Sequence, residues 1–418
     1  MPRTSELSSE QAEKVVSARV ETWTSPAFLA WAIITAASTA YLLRGIQRFL
    51  HPGFWAEDGR NFFADAFNQG IASIFEPYNG YLHVIPRLVA LPMSAAPLST
   101  APALFAVSAA VMYLVMISPV LSDRIAWLIP TKVARSIAYL LLCLLPVMNE
   151  VYGSTANLIF IGGITLFLFV ISDDPTTRGG RAAELVAMTL LGLSGPLMVL
   201  FVPFFAYRWW CRRSGHSLLV GVTAAMTAAI QLAIYLCSSR SETGDASIVT
   251  FAKVIVYRVG GGWLYGTDDV VVDGSHTWAQ VNCAVWIVAV VTVCLLASPK
   301  IVIPLGVLVG ILLLAPTLAY GDVFLGNGQN LQRHLIVPLS VAIILLVAAA
   351  STDLRSWVRS IAAGCLVIGV GAMVGFFFQD SYPLQPDMGS LVECFDGGQA
   401  TCTIPTLPAG WTIELKKQ

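Results

Sequence analysis

Apolar runs alternate with short polar breaks through most of this chain. A hydrocarbon core of about 30 Å takes about 20 apolar residues to cross as a helix. Runs on that scale fall at 27–46, 101–121, 134–149, 156–172, 184–194, 196–210, 217–237, 279–298, 301–319, 335–351 and 360–378. Backbone polar groups in lipid must be satisfied within each segment, so the pattern predicts an all-α fold, a polytopic transmembrane helix bundle of about 11 spans. The pair 184–194 and 196–210 is split by Ser194, Gly195 and Pro196. The stretch 84–98 is interrupted by Pro86, Pro92 and Pro97, and is expected to lie along the interface or dip in partway. Three regions follow: a polar cytoplasmic tail at 1–26, a membrane domain at 27–378 with a first outer loop at 47–100, and an extracytoplasmic C-terminal tail at 379–418.

Composition agrees with this division. With 56% hydrophobic and 12% charged residues and a mean hydropathy of +0.73, the chain is far more apolar than soluble domains. No basic arm or patch accompanies the net charge of -1, which sets nucleic-acid partners aside. Glu6, Glu10, Glu13 and Glu21 make the N-terminal tail unlike the basic start of a signal peptide, so the first span is read as an uncleaved anchor.

Basic residues are retained on the cytoplasmic side. Arg124, Lys132 and Arg135, then Arg178 and Arg181, Arg208, Arg212 and Arg213, Lys300, and Arg355 and Arg359 all fall between spans on one face, which is taken as cytoplasmic. The other face receives loops 47–100, 238–278 and 320–334 and the tail from 379, the longer and more aromatic pieces, where function is to be sought. Cys143, Cys211, Cys237, Cys283, Cys294 and Cys365 lie in or beside apolar runs and read as inert packing thiols. Cys394 and Cys402 flank a Gly-rich turn in the outer tail. They are either two free thiols or a disulfide, and the outer location favours the disulfide. The segment CTIPTLPAGWTIEL reads as a short strand-like cap.

The richest candidate chemistry lies in the first outer loop, His51 to Arg87. Glu57 and Asp58 sit a few residues from the end of the first span, followed by Gly59 and by the cation Arg60. Adjacent acids perturb one another, and an aspartate near the apolar boundary suits a general base, while its bland reading is a cap or turn carboxylate. If the segment is helical the two acids diverge, and Asp58 is favoured as the one facing a reaction centre. Further on, Pro77, Asn79 and Gly80 signal a turn beside Tyr78, Tyr81, His83 and Arg87. The rings suit stacking on sugar faces and His83 and Arg87 suit a phosphate. The competing reading is an interfacial aromatic belt with snorkelling cations.

Arg333 and His334 stand at the outer mouth of a span, where a cation can hold a phosphate diester. Lys253 and Arg258 lie at i, i+5 on a segment that reads as amphipathic helix, followed by Gly260 to Gly262 and by Asp268, Asp269 and Asp273, which read as solvated acids. The histidines show no metal-ligand spacing, and no GxSxG or GK[ST] motif appears, so nucleotide hydrolysis is disfavoured. No metal site is assigned. A divalent cation held by Glu57, Asp58 and a distant acid such as Asp268 stays open as a cofactor, since hard cations take oxygen ligands.

Three features together, an amino end inside ahead of many spans, an acidic pair in the first outer loop and short paired helices at 184–194 and 196–210, resemble the GT-C superfamily of integral membrane glycosyltransferases. More narrowly, WAEDG, NGYLHVIPR and a tail of two cysteines, IP and PAGW look like an actinobacterial-type glucosyltransferase-like group. Arg333 and His334 sit where such proteins often carry an arginine and an aromatic, and the large carbohydrate-binding domain of bigger members has no counterpart. The resemblance implies inverting transfer from a polyprenyl-phosphate sugar donor to a glycan or lipid-linked acceptor at the outer face of the cell membrane. Asp58 would be the base, Arg333, His334, Arg258, Lys253 and Arg87 would neutralise the leaving phosphate, and the PYNGY turn would shape the sugar pocket. A transporter or flippase of a lipid-linked or small solute is the alternative, and a structural envelope subunit a third. No convincing internal repeat favours the transporter.

Overall fold

The computed structural model describes residues 25–238, 246–267, 269–272, 276–325 and 331–417. The N-terminal tail to residue 24, Asp268 and Asp273 therefore lie outside the described residues, as do residues 239–245 and 326–330 of the outer loops. The described residues are mostly helical, with one small two-stranded sheet near the C-terminal end of the chain.

Among the described residues, seven helical segments are long and apolar enough to cross a membrane: Pro26–Arg44, Leu98–Leu121, Gly215–Leu236, Thr277–Ala297, Pro299–Phe324, Gln332–Ser351 and Ser356–Gly375. Each overlays one of the expected runs. The runs at 134–149, 156–172, 184–194 and 196–210 also form helices, Lys132–Cys143, Leu158–Ile171, Arg178–Gly192 and Leu197–Arg212. These have 12, 14, 15 and 16 residues, or about 18–24 Å at 1.5 Å per residue, short of a hydrocarbon core. Burial explains how one of them is accommodated. Leu158–Ile171 is buried along almost its whole length, and a helix wrapped by other helices need not match lipid thickness. The proline-rich stretch forms a 10-residue helix, Val84–Met93, with Pro92 inside it.

Two arginines fasten the start of the bundle to its far end. Pro26–Arg44 begins with Ser25 accepting the Phe28 N–H and Pro26 at a position where no donor is needed. It ends at Arg44, fully buried, whose guanidinium donates to the carbonyls of Cys143 (2.9 Å), Leu145 (3.0 Å), Phe377 (3.1 Å) and Phe376 (3.3 Å). These carbonyls lie at or just past the C-terminal ends of Lys132–Cys143 and Val370–Gly375. One cation thus satisfies orphan carbonyls at the negative poles of two helices. Arg48 repeats the device, donating to Asp380 O (2.9 Å), Asn149 O (2.8 Å) and Tyr152 O while stacking over the Tyr382 ring.

The two ends of the bundle differ in character. At one end Glu184 pairs with Arg208 (2.6 Å), Arg124 (2.6 Å) and His216 (3.1 Å), Arg208 also reaches Asp174 (2.8 Å), and Arg212 reaches Asp173 (2.6 Å). Burial alone would raise Asp174, but hydrogen bonds from Ser214, Arg208 and Ser217 outweigh it and bring the carboxyl down to about 2. A cavity of about 240 Å³ at the same end is lined by Trp127, Ser298 and Asp353 among others, so the basic loops around Arg124, Lys300 and Arg355 meet there. Several of the cations read as topology markers are therefore also half of an ion-pair network. Glu184→Gln strands the fully buried Arg208 with less counter-charge, and a loss of about 3 kcal/mol is expected as a lowered melting temperature of the detergent-solubilised protein. An unchanged melt would make the network dispensable.

The expected packing thiols divide. Cys143, Cys283, Cys294 and Cys365 are buried, but Cys211 and Cys237 are exposed at helix ends and pack against nothing that hides them. Cys394 and Cys402 form a disulfide. It joins helix Met388–Asp396 to β1 (Thr401–Thr406), which pairs antiparallel with β2 (Trp411–Lys416). Alternation sends Cys402, Ile404, Ile413 and Leu415 to one face, where they build a second core with Phe54, Phe62, Phe63, Phe105 and Leu391. The C-terminal unit therefore sits on the first loop.

Candidate functional site

The chain leaves Pro26–Arg44, makes a short helix Ile46–Leu50, and turns at Ala56, whose φ of 44° is left-handed. A π-helix follows at Asp58–Phe63, a wide turn that recurs at functional sites. The two acids diverge, as the helical reading expects. Asp58 is the inner one: only 2% exposed, it accepts from Thr155 Oγ1 (2.5 Å), Ala156 N (2.8 Å) and Thr155 N (3.1 Å). Burial is the main cause that lifts its carboxyl to about 7, with Glu57 adding to the rise and bonds from Thr155, Ala156 and Ser154 opposing it. Glu57 is the partly exposed one, and the Tyr78 hydroxyl reaches it at 3.5 Å. Burial, then the nearness of Glu57, push the Tyr78 phenol to about 12, so it stays a donor. The expectation that Asp58 faces a reaction centre thus meets a carboxylate turned inward and already occupied by three donors.

Thr155 and Ala156 belong to a buried turn, 149–157, between Lys132–Cys143 and Leu158–Ile171. Pro146 prevents the first of these helices from running on. Asn157 Nδ2 closes the turn on Glu150 O (2.9 Å) and Ser154 Oγ (3.2 Å). Glu150 in turn forms an ion pair with Arg333, whose backbone N–H also approaches it at 3.5 Å. Arg333 lies within electrostatic reach of Glu57. One turn therefore holds the inner acid of the first loop through Thr155 and the cation of a distant loop through Glu150.

His334 sits in an aromatic box, edge-on to Phe160 (4.9 Å) and Phe324 (5.7 Å) and tilted to Tyr320 (5.6 Å). Arg258, fully buried, stacks over Phe324 at 5.1 Å, and both Arg258 and Arg333 are felt electrostatically at His334. Arg258 and Arg333 thus bring two positive charges near the His334 ring, while Lys253 is exposed on the surface and does not join them.

The remaining predicted residues behave differently. Asn79 (φ 51°) and Gly80 (φ 78°) make the left-handed pair of a tight hairpin turn bridging Tyr78 and Tyr81, so the turn signal is met. Tyr81 stacks on Tyr235 (6.1 Å). His83 is buried against Phe62, Tyr78 and Tyr81, and burial pulls it down to about 4, so at neutral pH it offers no positive charge to a phosphate. Arg87 is likewise buried, bonded to Asp65 (3.0 Å) and stacked over Phe62. The phosphate role expected of this pair is corrected: both hold the loop together. Arg60 lies over Trp411 of the C-terminal unit. Among the described residues no group of three or more His, Cys, Asp or Glu comes together to hold a metal ion.

The missed residues are Glu150, Thr155 and Asn157. Their signal was the Asn149–Glu150 pair closing an apolar run, an acid at a membrane edge of the kind that is functional by default. Searched against known protein families, curated proteins and solved structures, the chain matches none of them.

Proposed function

We propose that this membrane protein is a glycosyltransferase of the GT-C kind, transferring a sugar from a polyprenyl-phosphate donor to an envelope acceptor at the outer face, with inversion. The bundle would present about eleven membrane-embedded helices, with the amino end inside and the disulfide-bonded unit outside. The observation carrying this reading is that Arg333, beside Arg258, lies within electrostatic reach of the partly exposed Glu57. A base for the acceptor hydroxyl and positive charge for a leaving phosphate are what the reaction requires.

The chemistry divides between the acids. Glu57, partly open and bonded by Tyr78, takes the acceptor proton as its oxygen attacks the anomeric carbon. Asp58, clasped by Thr155 and Ala156, fixes the loop that aims Glu57. Arg333, with Arg258 adding its charge nearby, receives the polyprenyl phosphate as the glycosidic bond breaks.

Purified protein in lipid nanodiscs, given a labelled polyprenyl-phosphate sugar and a crude envelope acceptor, is expected to release polyprenyl phosphate and form the inverted anomer. Arg333→Gln is expected to raise the donor KM about tenfold, since a charge-assisted contact is worth about 1.5–3 kcal/mol. Donor left chemically intact yet moved between leaflets in proteoliposomes would instead support a flippase.

A further inference from the structure

The C-terminal hairpin grips the first loop on both flanks of the acidic pair. On the N-terminal flank, Ala56 N–H donates to Leu407 O at 2.7 Å, and Thr406 Oγ1 donates to Phe54 O at 3.2 Å. Trp55 and Leu407 form a parallel bridge. On the C-terminal flank, Arg60 stacks over Trp411 at 4.7 Å. Asn68 brackets β2, donating to Glu414 O (3.0 Å) and accepting from Lys416 N (2.8 Å).

Between the flanks the two segments touch. A Cβ added at Gly59 would lie 2.7 Å from Ile413 Cδ1 and 2.8 Å from Phe54 Cβ, so glycine is what lets the hairpin come this close. Ala56 occupies the left-handed region, which a residue with a side chain keeps only where its surroundings hold it. The Leu407 carbonyl supplies that hold, one residue before Glu57.

We propose that the β1–β2 hairpin is a positioning device for the acidic pair: docked, it fixes the backbone at 54–60 and so sets the direction of Glu57, with Ile413, Trp411 and the Leu407 carbonyl as its working parts. The small sheet is thereby more than a cover over the loop. Its covalent tie, Cys394–Cys402, holds helix Met388–Asp396 against β1, so the hairpin meets the loop as part of one preassembled unit. The kinetic part rests on the transferase reading, and the structural part does not.

The test uses the full chain in nanodiscs, with hydrogen exchange followed across 54–63 and donor transfer measured in parallel. Ile413→Ala combined with Trp411→Ala is expected to speed exchange in that segment about tenfold while leaving the bundle helices protected. The turnover is expected to fall about 100-fold, the scale of a 1 Å misplacement, with donor KM changed by less than about twofold. Trp411→Phe keeps a ring beneath Arg60 and should match the parent in both readouts. Trp411→Ala alone serves if the double variant does not fold, with the same directions and smaller sizes. Unchanged exchange at 54–63 overturns the proposal, as does faster exchange with undiminished turnover. Should the parent itself transfer no sugar, the exchange arm still decides whether the hairpin orders the loop, and only the transferase reading falls.

Discussion

Glu57→Gln is expected to lower the sugar-transfer rate about 10²–10⁴-fold, the usual worth of a positioned base, with the melting temperature close to the parent's because Glu57 is partly exposed and its bond from Tyr78 is long. Asp58→Asn tests the other half of the division. The amide keeps the size of the buried group but loses an acceptor toward Thr155 N–H, so the loop is held less firmly and the rate is expected to fall about 10–100-fold. The pH profiles then separate the roles. Asp58 titrates at about 7 in the folded protein against an ordinary value of 3.8. Below about 7 it takes up a proton and one of its clasping bonds is lost, so the parent's rate should decline as the pH falls through that value, and the decline should vanish in Asp58→Asn.

Stability follows the opposite sign. The folded protein binds the Asp58 proton more tightly than the unfolded chain does, so this group favours folding fully below the unfolded value. That contribution is lost as the pH rises through about 7, and each tenfold difference in proton affinity between the folded and unfolded chain is worth about 1.4 kcal/mol. Melting curves in one detergent between pH 4 and 8 should show this loss in the parent and not in Asp58→Asn. The division of labour would be reversed, with Asp58 as the base, by an Asp58→Asn protein that is inert at every pH beside a Glu57→Gln protein that still transfers.

Arg44→Met is expected to abolish recovery of folded protein. Four carbonyls accept from this one fully buried side chain. An unsatisfied buried polar group costs about 1–3 kcal/mol, so four together, at up to about 4–12 kcal/mol, are of the same size as the roughly 5–15 kcal/mol by which proteins are usually stable. Methionine fills a similar volume, which separates loss of the bonds from loss of packing. Arg44→Lys keeps the charge but not the planar fork, and should be recovered in reduced amount. Size-exclusion profiles of green-fluorescent fusions in detergent would report both, and a monodisperse Arg44→Met protein at parental yield would show that water or neighbouring groups satisfy those carbonyls instead.

The helical character and seven of the spans were legible because lipid leaves the backbone few choices, so runs of apolar residues translate almost directly into helices. The runs at 134–149 and 156–172 give helices shorter than expected: Pro146 stops the first, and apolar character marks burial in protein as readily as contact with lipid, as in Leu158–Ile171, whereas the pair at 184–194 and 196–210 was legible as short. Within the site, the acidic pair and the Asn79–Gly80 turn could be read from their residue types. What joins Asp58 to Thr155, or Arg333 to Glu150, depends on long-range packing, and no local pattern encodes it. His83 and Arg87 misled for the same reason: a cation's sequence neighbours do not tell whether it meets solvent or Asp65.

The contact between Thr406 and Phe54 spans 352 positions of the chain, which imposes an order on assembly. During synthesis the first loop emerges with Ala56 and Gly59 lacking the strand they are shaped to receive, and it waits through the insertion of the later helices before that strand arrives. The acidic pair therefore matures last. A chain stalled or clipped before Leu407 would carry the seven long apolar helices found among the described residues and still hold Glu57 and Asp58 on an unfinished loop.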